Sequence, residues 1–434
     1  MEKHAVSATR RRPKPPHQQI SAVLFGATLI FCAAVLCIGL FGKLFPRGTL
    51  PTGGSGDPEP PPGSNVQEPA SSVPEAASEP KPQPVTETVR FSATGDNLIH
   101  SPIYKQAARR ANGSGYRFDY CYSHVAPFYA QQDVNWINQE TLCNNELEPS
   151  SYPCFSTPGA CAEALYRAGV RVFSLSNNHT YDKGAAGIAA TLRFWESMPE
   201  DTITTGLWRG TADYDRIPLQ TVHGVTIAYL SYTEHTNGIS ASKAMEANVI
   251  YTSQTDVIEQ QITLARKQAD FVVVGVHWGV EDSHTIVDSQ RTLARQLADW
   301  GADVIIGTHP HVLQDAEWLT AADGRSCFTA YSLGNFLSTQ NRPDQLVGAI
   351  LTLQFEKTTD PDGTVHCTVS EPKLHPTVTH YDAGKSNVRT YLLRDYTQEL
   401  AKAHGTREAY PEFSLDAARQ LAQKYLSNDF LELT

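Results

Sequence analysis

Val304-Ile305-Ile306-Gly307-Thr308-His309-Pro310-His311 is the stretch that decides the fold. A β-branched run, too short for a helix, ends at a glycine and then at two imidazoles on either side of a proline. The apolar part reads as a buried strand, and the stiff His-Pro-His turn can aim both rings toward one region. Working outward, the same form recurs. Val89 to Ala93 leads into Gly95-Asp96-Asn97, Val134 to Ile137 into Asn138-Gln139-Glu140, and Val170 to Leu175 into Ser176-Asn177-Asn178-His179. Phe271 to Val276 leads into His277-Trp278-Gly279, and Val225 to Leu230 is a further strand of the kind. Between them Ile258, Ile262, Ala265 and Ala269 share one helical face, as do Leu293, Leu297 and Trp300 with Ala294 and Ala298. The pattern predicts an α/β domain. Toward the C-terminus, Cys327 to Ser332, Val347 to Phe355 and Val365 to Val369 read as consecutive strands, with Pro361-Asp362-Gly363 as a hairpin turn. Beyond about Tyr381 the pattern predicts helices, Tyr391 to Ala403 and Leu415 to Leu426.

In an open α/β sheet, ligands bind beyond the carboxyl ends of the strands. Here five strand ends deliver Asp96, Glu140, Asn178, His277, His309 and His311. Carboxylate, imidazole and amide oxygen suit a divalent Zn, Mn, Fe or Mg ion rather than a thiolate-selected metal. A single Asp or Asn after a strand is ordinarily a turn former or helix cap, so the expectation rests on the set. His100, His124, His223, His235, His284, His366, His375 and His380 are assigned to ordinary hydrogen-bond networks. No G-x-S-x-G elbow, P-loop or G-x-G-x-x-G occurs, which leaves covalent serine chemistry and a nucleotide cradle without support.

The 434 residues carry a net charge of −11, with 41% hydrophobic and 19% charged residues. That excess of acid argues against a nucleic-acid partner held by phosphate neutralisation. The charge is divided unevenly. Lys3, Arg10, Arg11, Arg12, Lys14 and Lys43 against Glu2 make residues 1–45 +5, so residues 46–434 sum to −16. Ile20 to Gly42 holds 23 residues without a charge, long enough for a hydrocarbon core of about 30 Å and too long for a cleaved signal peptide. The expected order is therefore a basic cytoplasmic tail (1–19), a transmembrane signal anchor (20–42) and a linker (43–85), with everything beyond lying outside the cell membrane by the positive-inside rule. The eleven prolines of residues 46–85 predict an extended, disordered tether. Six cysteines follow the anchor, an even number in a setting that permits disulfides. Cys154 with Cys161 and Cys327 with Cys367 are plausible pairs, and fifteen pairings are open.

Six segments, taken in order, carry a family resemblance: Thr94-Gly95-Asp96; Asn138-Gln139-Glu140-Thr141; Ser176-Asn177-Asn178-His179 with Asp182 and Gly184; His277-Trp278-Gly279 with Glu281; Gly307-Thr308-His309-Pro310-His311-Val312 with Gln314; and Ser332-Leu333-Gly334-Asn335-Phe336. Over residues 89–338 the chain resembles the CapA capsule-synthesis family. That family is related to poly-γ-glutamate biosynthesis proteins and carries a calcineurin-like metallophosphoesterase fold. The resemblance implies a four-layer α/β/β/α sandwich over residues 86–380, with 381–434 as its helical cap. It implies one or two divalent ions. Asp96 and His311 would hold the first, Asn178, His277 and His309 the second, and Glu140 would bridge them. His179, beside Asn178, would sit near the leaving group or stabilise negative charge; in a catalytic site it would serve as general acid, with Asp182 to orient it.

The chain departs from the wider superfamily in one place. The superfamily's Asp-x-His start has Leu98 where the histidine belongs, so Asn97, His100 or water fills the place, or only one ion binds tightly. The function implied is capsule or poly-γ-glutamate biosynthesis, through hydrolysis of a phosphoester or envelope-polymer bond. The alternative is a non-enzymatic scaffold or export component that holds an anionic polymer beside membrane-bound synthase or export subunits.

Overall fold

The structure, a computed structural model, describes residues 83–434. The basic tail, the apolar run Ile20 to Gly42 and the linker up to residue 82 lie outside the described residues. Among the described residues no helix is long and apolar enough to cross a membrane.

In chain order the strands are β1 (Val85–Asn97), β2 (Val134–Asn138), the short β3 (Cys143–Asn144) and β4 (Thr157–Pro158), β5 (Val172–Ser174) and β6 (Ile203–Thr205). They continue with β7 (Leu219–Val222), β8 (Val225–Thr233), β9 (Phe271–His277), β10 (Val304–Thr308), β11 (Leu313–Thr320) and β12 (Ser326–Leu333). The last four are β13 (Asn335–Leu337), β14 (Val347–Thr359), β15 (Val365–Asp382) and β16 (Ser386–Leu392). One sheet runs β16-β15-β14-β1-β2-β5-β6, with β13 also paired to β1, and the other runs β11-β12-β10-β9-β8-β7. The middle of each sheet is parallel: β1, β2, β5 and β6 in the first, β8, β9, β10 and β12 in the second. Parallel strands put their carboxyl ends on one edge, which is where the polar loops emerge.

Period-two alternation explains the layers. In β9, Phe271 and Val273 belong to the core shared with Phe91, Ile137, Tyr229 and Ile306, while Val272, Val274 and Val276 pack with helix residues. The rings of Phe271 and Phe355, one from each sheet, lie 4.5 Å apart. On its other face the second sheet is covered by Ile258, Ile262 and Ala265 of the helix Thr255–Gln268, and by Ala294, Leu297 and Ala298 of Asp288–Trp300. A sheet buried on both faces needs the near-continuous apolar runs this sequence supplies.

Two expectations are corrected. The segment from 381 is not wholly helical: β15 runs on to Asp382, and β16 carries Tyr391 and Leu392 into the first sheet as its edge strand. Gly384, at φ 66°, makes the intervening turn. The helices are Gln398–Ala403 and Leu415–Tyr425. The suggested disulfides are absent too, since all six cysteines among the described residues are free. Cys161 turns inward in the first turn of its helix, against the Tyr122 hydroxyl at 3.1 Å and the Asn97 amide at 3.5 Å. Cys327 is buried in β12 while Cys367 is exposed on β15, in the other sheet.

Candidate metal centre

Two glycines allow the strand ends to meet. A Cβ at Gly95 would lie 2.0 Å from the Gly334 carbonyl oxygen, and one at Gly307 would lie 1.9 Å from that of Tyr331. With no side chain at either place, β1 and β10 deliver Asp96, His309 and His311 to one point. His309 and His311 both have positive φ, 99° and 60°, a costly conformation for a residue with a Cβ. The His-Pro-His turn aims its rings as expected, at the cost of backbone strain.

Asp96 is fully buried. Its Oδ1 accepts from Asn138 Nδ2 at 2.7 Å, and its Oδ2 lies 3.0 Å from His311 Nδ1 and accepts from the His309 backbone at 3.3 Å. Glu140 Oε1 stands 3.6 Å from His311 Nε2 and 3.8 Å from His277 Nε2. Ligand atoms of Asp96, Glu140 and His311 all lie within 4.8 Å of one another. On the other side of Glu140, His277 Nε2 lies 3.1 Å from Asn178 Oδ1 and 3.1 Å from His309 Nδ1. All six residues proposed as ligands from the sequence are thus brought into one buried cluster.

Whether a cation fits is decided by Glu140. It is buried, yet neither carboxylate oxygen has a hydrogen-bond partner. An uncompensated buried carboxylate costs several kcal/mol, so this pocket is built for a positive charge. Burial, reinforced by Asp96, pushes Glu140 well above the usual carboxylate range. Burial alone would lower His311, but Glu140 and Asp96 carry it up to about 10. His311 therefore retains a proton that a divalent ion would replace. Burial keeps His277 far below its ordinary value and takes His309 down to about 2, the neutral form that ligation requires. Thr308 Oγ1 lies 2.9 Å from His277 Nδ1 while the same hydroxyl reaches the Val276 carbonyl. His277 Nε2 faces the Glu140 carboxylate at 3.8 Å and the Asn178 amide oxygen at 3.1 Å. The donor set fits a divalent ion.

His179 and Asp182 form a separate pair at the rim. Asp182 Oδ2 lies 2.8 Å from His179 Nδ1 and also accepts from the Phe155 backbone at 2.6 Å. This fixes the imidazole with its Nε2 available. Of the groups considered for the vacant place left by Leu98, Asn97 is spoken for. Its amide donates to Gln139 at 2.7 Å and toward Cys161, and it accepts from Tyr122 at 3.1 Å. Leu98 itself is buried. Sequence reasoning missed Asn138 and Thr308 as orienting groups, and His235 and Asn237 as neighbours. His235 packs edge-on to His309 with ring centres 5.0 Å apart, and the Asn237 amide is 3.3 Å from His179 Nδ1. Asn138 and Thr308 each sit within two residues of a ligand at a strand end, which is the signal that could have found them.

Fold and site together define a mixed α/β protein with a candidate divalent-metal centre at the carboxyl ends of two sheets. Residues 90–340 match the model of the family described as bacterial capsule synthesis protein PGA_cap, and the chain belongs to that family. It is 28% identical to the PGA biosynthesis protein CapA of Bacillus subtilis (strain 168) over 309 residues, covering 70% of this chain and 78% of that one. It is 32% identical to the capsule biosynthesis protein CapA of Bacillus anthracis over 235 residues, covering 52% of this chain and 55% of that one. Among solved structures, the Haemophilus influenzae NAD nucleotidase (NadN) is similar at 12% identity and a TM-score of 0.39, over 80% of this chain and 64% of that one. A putative 5'-nucleotidase from Staphylococcus aureus is similar at 11% identity and a TM-score of 0.39, over 66% of this chain and 54% of that one.

Proposed function

We propose that this chain is a metal-dependent hydrolase of capsule or poly-γ-glutamate production, with the four-layer α/β/β/α sandwich of the metallophosphoesterases. It would be held at the outer face of the cell membrane by Ile20 to Gly42, with its N-terminus in the cytoplasm. The observation that carries the reading is the unpartnered, buried Glu140 carboxylate between Asp96, His311 and His277. Asp96 and His311 on one side, and Asn178, His277 and His309 on the other, would hold one or two divalent ions with Glu140 between them. Such an ion, when bound, supplies a Lewis acid and lowers the pKa of coordinated water toward about 7.

The chain's own residues do the rest. Asp96 and Asn138 lock one another, Thr308 holds the His277 ring through Nδ1, and burial excludes bulk water from the cluster. Asp182 holds a proton on His179 Nδ1, so His179 Nε2 is the atom placed to exchange a proton with a leaving oxygen or nitrogen. The substrate class is a phosphoester, or an amide or ester bond of an anionic envelope polymer.

The test is metal content and turnover of the purified full-length chain, supplied with Mn²⁺ or Zn²⁺ and offered a generic phosphomonoester and poly-γ-glutamate. Bound metal with turnover of either is expected. No metal at micromolar supply, and no turnover, sinks the proposal. One observation favours the scaffold reading instead: Leu98 is buried where a ligand would stand and Asn97 is turned to other partners. In that case cells would lose surface polymer on deletion of the gene yet keep it with His179→Ala and His309→Ala. Loss of polymer in both point variants favours the hydrolase.

A further inference from the structure

The loop that follows β8, Glu234-His235-Thr236-Asn237-Gly238, holds none of the residues expected from the sequence to carry the chemistry, yet it stands against two of them. Because β8 runs parallel to β9, with Thr233 paired to His277, the loop leaves the same edge of the sheet as the cluster. The His235 ring meets that of His309 edge-on, with centroids 5.0 Å apart, and Asn237 Nδ2 lies 3.3 Å from His179 Nδ1. His309 and His179 are buried, whereas His235 and Asn237 are exposed. The loop therefore lies on the solvent side of a proposed ligand and of the general acid, the side from which a substrate arrives.

Its backbone is built to hold that place. The Glu234 N–H donates to the His277 carbonyl at 2.9 Å, and Glu234 Oε2 accepts from the Gly279 N–H at 2.8 Å, which ties the loop to the His277-Trp278-Gly279 segment at both ends. Thr233 Oγ1 donates to the His235 carbonyl at 2.9 Å. Beyond His235, the Ile239 N–H closes a turn on the Thr236 carbonyl at 2.8 Å, with Asn237 and Gly238 both left-handed at φ 49° and 74°. Asn-Gly is the pair that such a turn prefers. The buried Thr236 pins the turn through the Ile239 carbonyl and the Tyr251 hydroxyl, at 2.6 and 2.8 Å.

Each exposed side chain carries a donor that the protein leaves unused. The Asn237 backbone N–H donates to His235 Nδ1 at 3.4 Å. A ring nitrogen that accepts carries no hydrogen, which puts it on Nε2, and Nε2 has no acceptor among the described residues. At His179 Nδ1, Asp182 Oδ2 accepts at 2.8 Å. The hydrogen there is turned to the carboxylate, so the Asn237 amide beside it has no lone pair to bond. A fixed loop thus sets two free N–H donors at the rim, one beside His309 and one beside His179.

We infer that His235 and Asn237 are substrate-contacting residues, which donate to an oxygen of the substrate's anionic group, phosphoryl or carboxylate, as it lies between the metal centre and His179. Donors held in place before the substrate arrives replace its hydration without reorganising. The inference rests on the hydrolase reading for what the substrate is, and on the loop alone for where it is held.

The test uses the full-length chain in Mn²⁺, with calorimetry of inorganic phosphate and of a γ-glutamate trimer. His235→Phe keeps a ring against His309 and removes Nε2–H, and Asn237→Gly removes the amide while keeping a residue suited to the left-handed turn. Each is expected to weaken binding about tenfold, the loss of one hydrogen bond to a charged group, with the number of Mn²⁺ ions bound and Tm unchanged. His235→Gln, which keeps an N–H donor, should recover part of the loss. On any substrate turned over, the loss should fall on KM rather than on kcat. A loss confined to phosphate identifies a phosphoryl subsite, and one confined to the trimer a carboxylate subsite. Unchanged affinity for both probes in the folded variants overturns the inference, as does binding of neither probe by the wild type. Loss of a bound Mn²⁺ in His235→Phe also overturns it, because His235 would then be a ligand. If the wild type binds the probes without turnover, the hydrolase reading fails on its own while the probe affinities still decide the subsite.

Discussion

Glu140 is the residue on which the chemistry turns, because it is a buried carboxylate with no partner on either oxygen. Burial and Asp96 push its pKa up, while its own charge is what lifts His311. Glu140→Gln puts an uncharged amide of like shape there, breaks no hydrogen bond and should change metal-free stability by about 1 kcal/mol or less. The metal-free and metal-loaded proteins should differ sharply in their response. The wild-type chain at about 100 times the dissociation constant of Mn²⁺ gains about 2.7 kcal/mol, seen as a rise in Tm, whereas Glu140→Gln should gain almost none. An equal rise in both would place the ion elsewhere. Asp182→Asn tests the other pair. It removes the negative charge that steadies the proton on His179 Nδ1 while an amide oxygen stays in place to accept it, and kcat on a phosphomonoester should fall by about 10²-fold, in the range of general acid–base contributions, with bound metal unchanged. Loss of metal in Asp182→Asn would show that the pair is structural. The residue types at the strand ends were legible in the sequence because each follows an apolar run directly. Asn138 was quoted and passed over, since its bond to Asp96 exists only once β1 and β2 lie side by side.

The strands were most legible where both faces are buried, although Val365 to Val369 was read correctly on an exposed stretch of β15. Val304 to Ile306, Phe271 to Val276 and Val225 to Leu230 announce β10, β9 and β8 because a sheet packed on both sides must be apolar throughout. The edge strands β7 and β16 have mixed burial and take their conformation from pairing with β8 and β15, which a local pattern does not record. Pairing inside the second sheet explains why Gly307 matters. Its Cβ would strike the Tyr331 carbonyl oxygen, a backbone atom held by the β10–β12 register that pairs Ile306 with Ala330. Gly307→Ala should therefore cost about 3 kcal/mol, the upper end of overpacking penalties. Gly324 has φ of 88° and open space around its Cβ position, so Gly324→Ala should cost only about 1 kcal/mol from backbone strain. Urea denaturation of the two variants compares steric overlap with strain alone. Similar midpoints would mean that β10 and β12 can part without cost, and that the approach of His309 and His311 to Asp96 is not built into the sheet.

At the scale of the whole molecule, titration is governed by buried histidines more than by the formal charge of −11. His375 and His380 on β15 and His404 beyond β16 are each lowered to about 4, in every case chiefly by burial. In the unfolded chain the same groups titrate near 6.5. Between pH 6.5 and 4 the unfolded state therefore binds protons that the native state refuses, and stability must fall as pH falls through that window. Each histidine contributes a slope of at most about 1.4 kcal/mol per pH unit. In the metal-free protein His311 adds nothing there, because a group raised to about 10 is protonated in both states below 6.5, whereas as a metal ligand it joins the others. Asp344, held down to about 2 by His284 and Arg342 despite burial, contributes stability that is lost only below about pH 3.8, as pH falls toward 2. The window lies above that of Asp344, and in saturating metal the ligating His277 and His309 stay unprotonated in the native state while they protonate in the unfolded chain, so they add to the same slope. The midpoint of urea unfolding, measured in excess Mn²⁺, is expected to drop steadily from pH 7 to pH 5. His404→Gln should flatten that slope by close to one proton, because the ring that bonds the Thr379 carbonyl through Nε2 is replaced by an amide that cannot charge. A midpoint constant over that range would mean that these rings are hydrated or already charged in the native state, which would contradict the packing of His404 against His380, Tyr381 and Phe413.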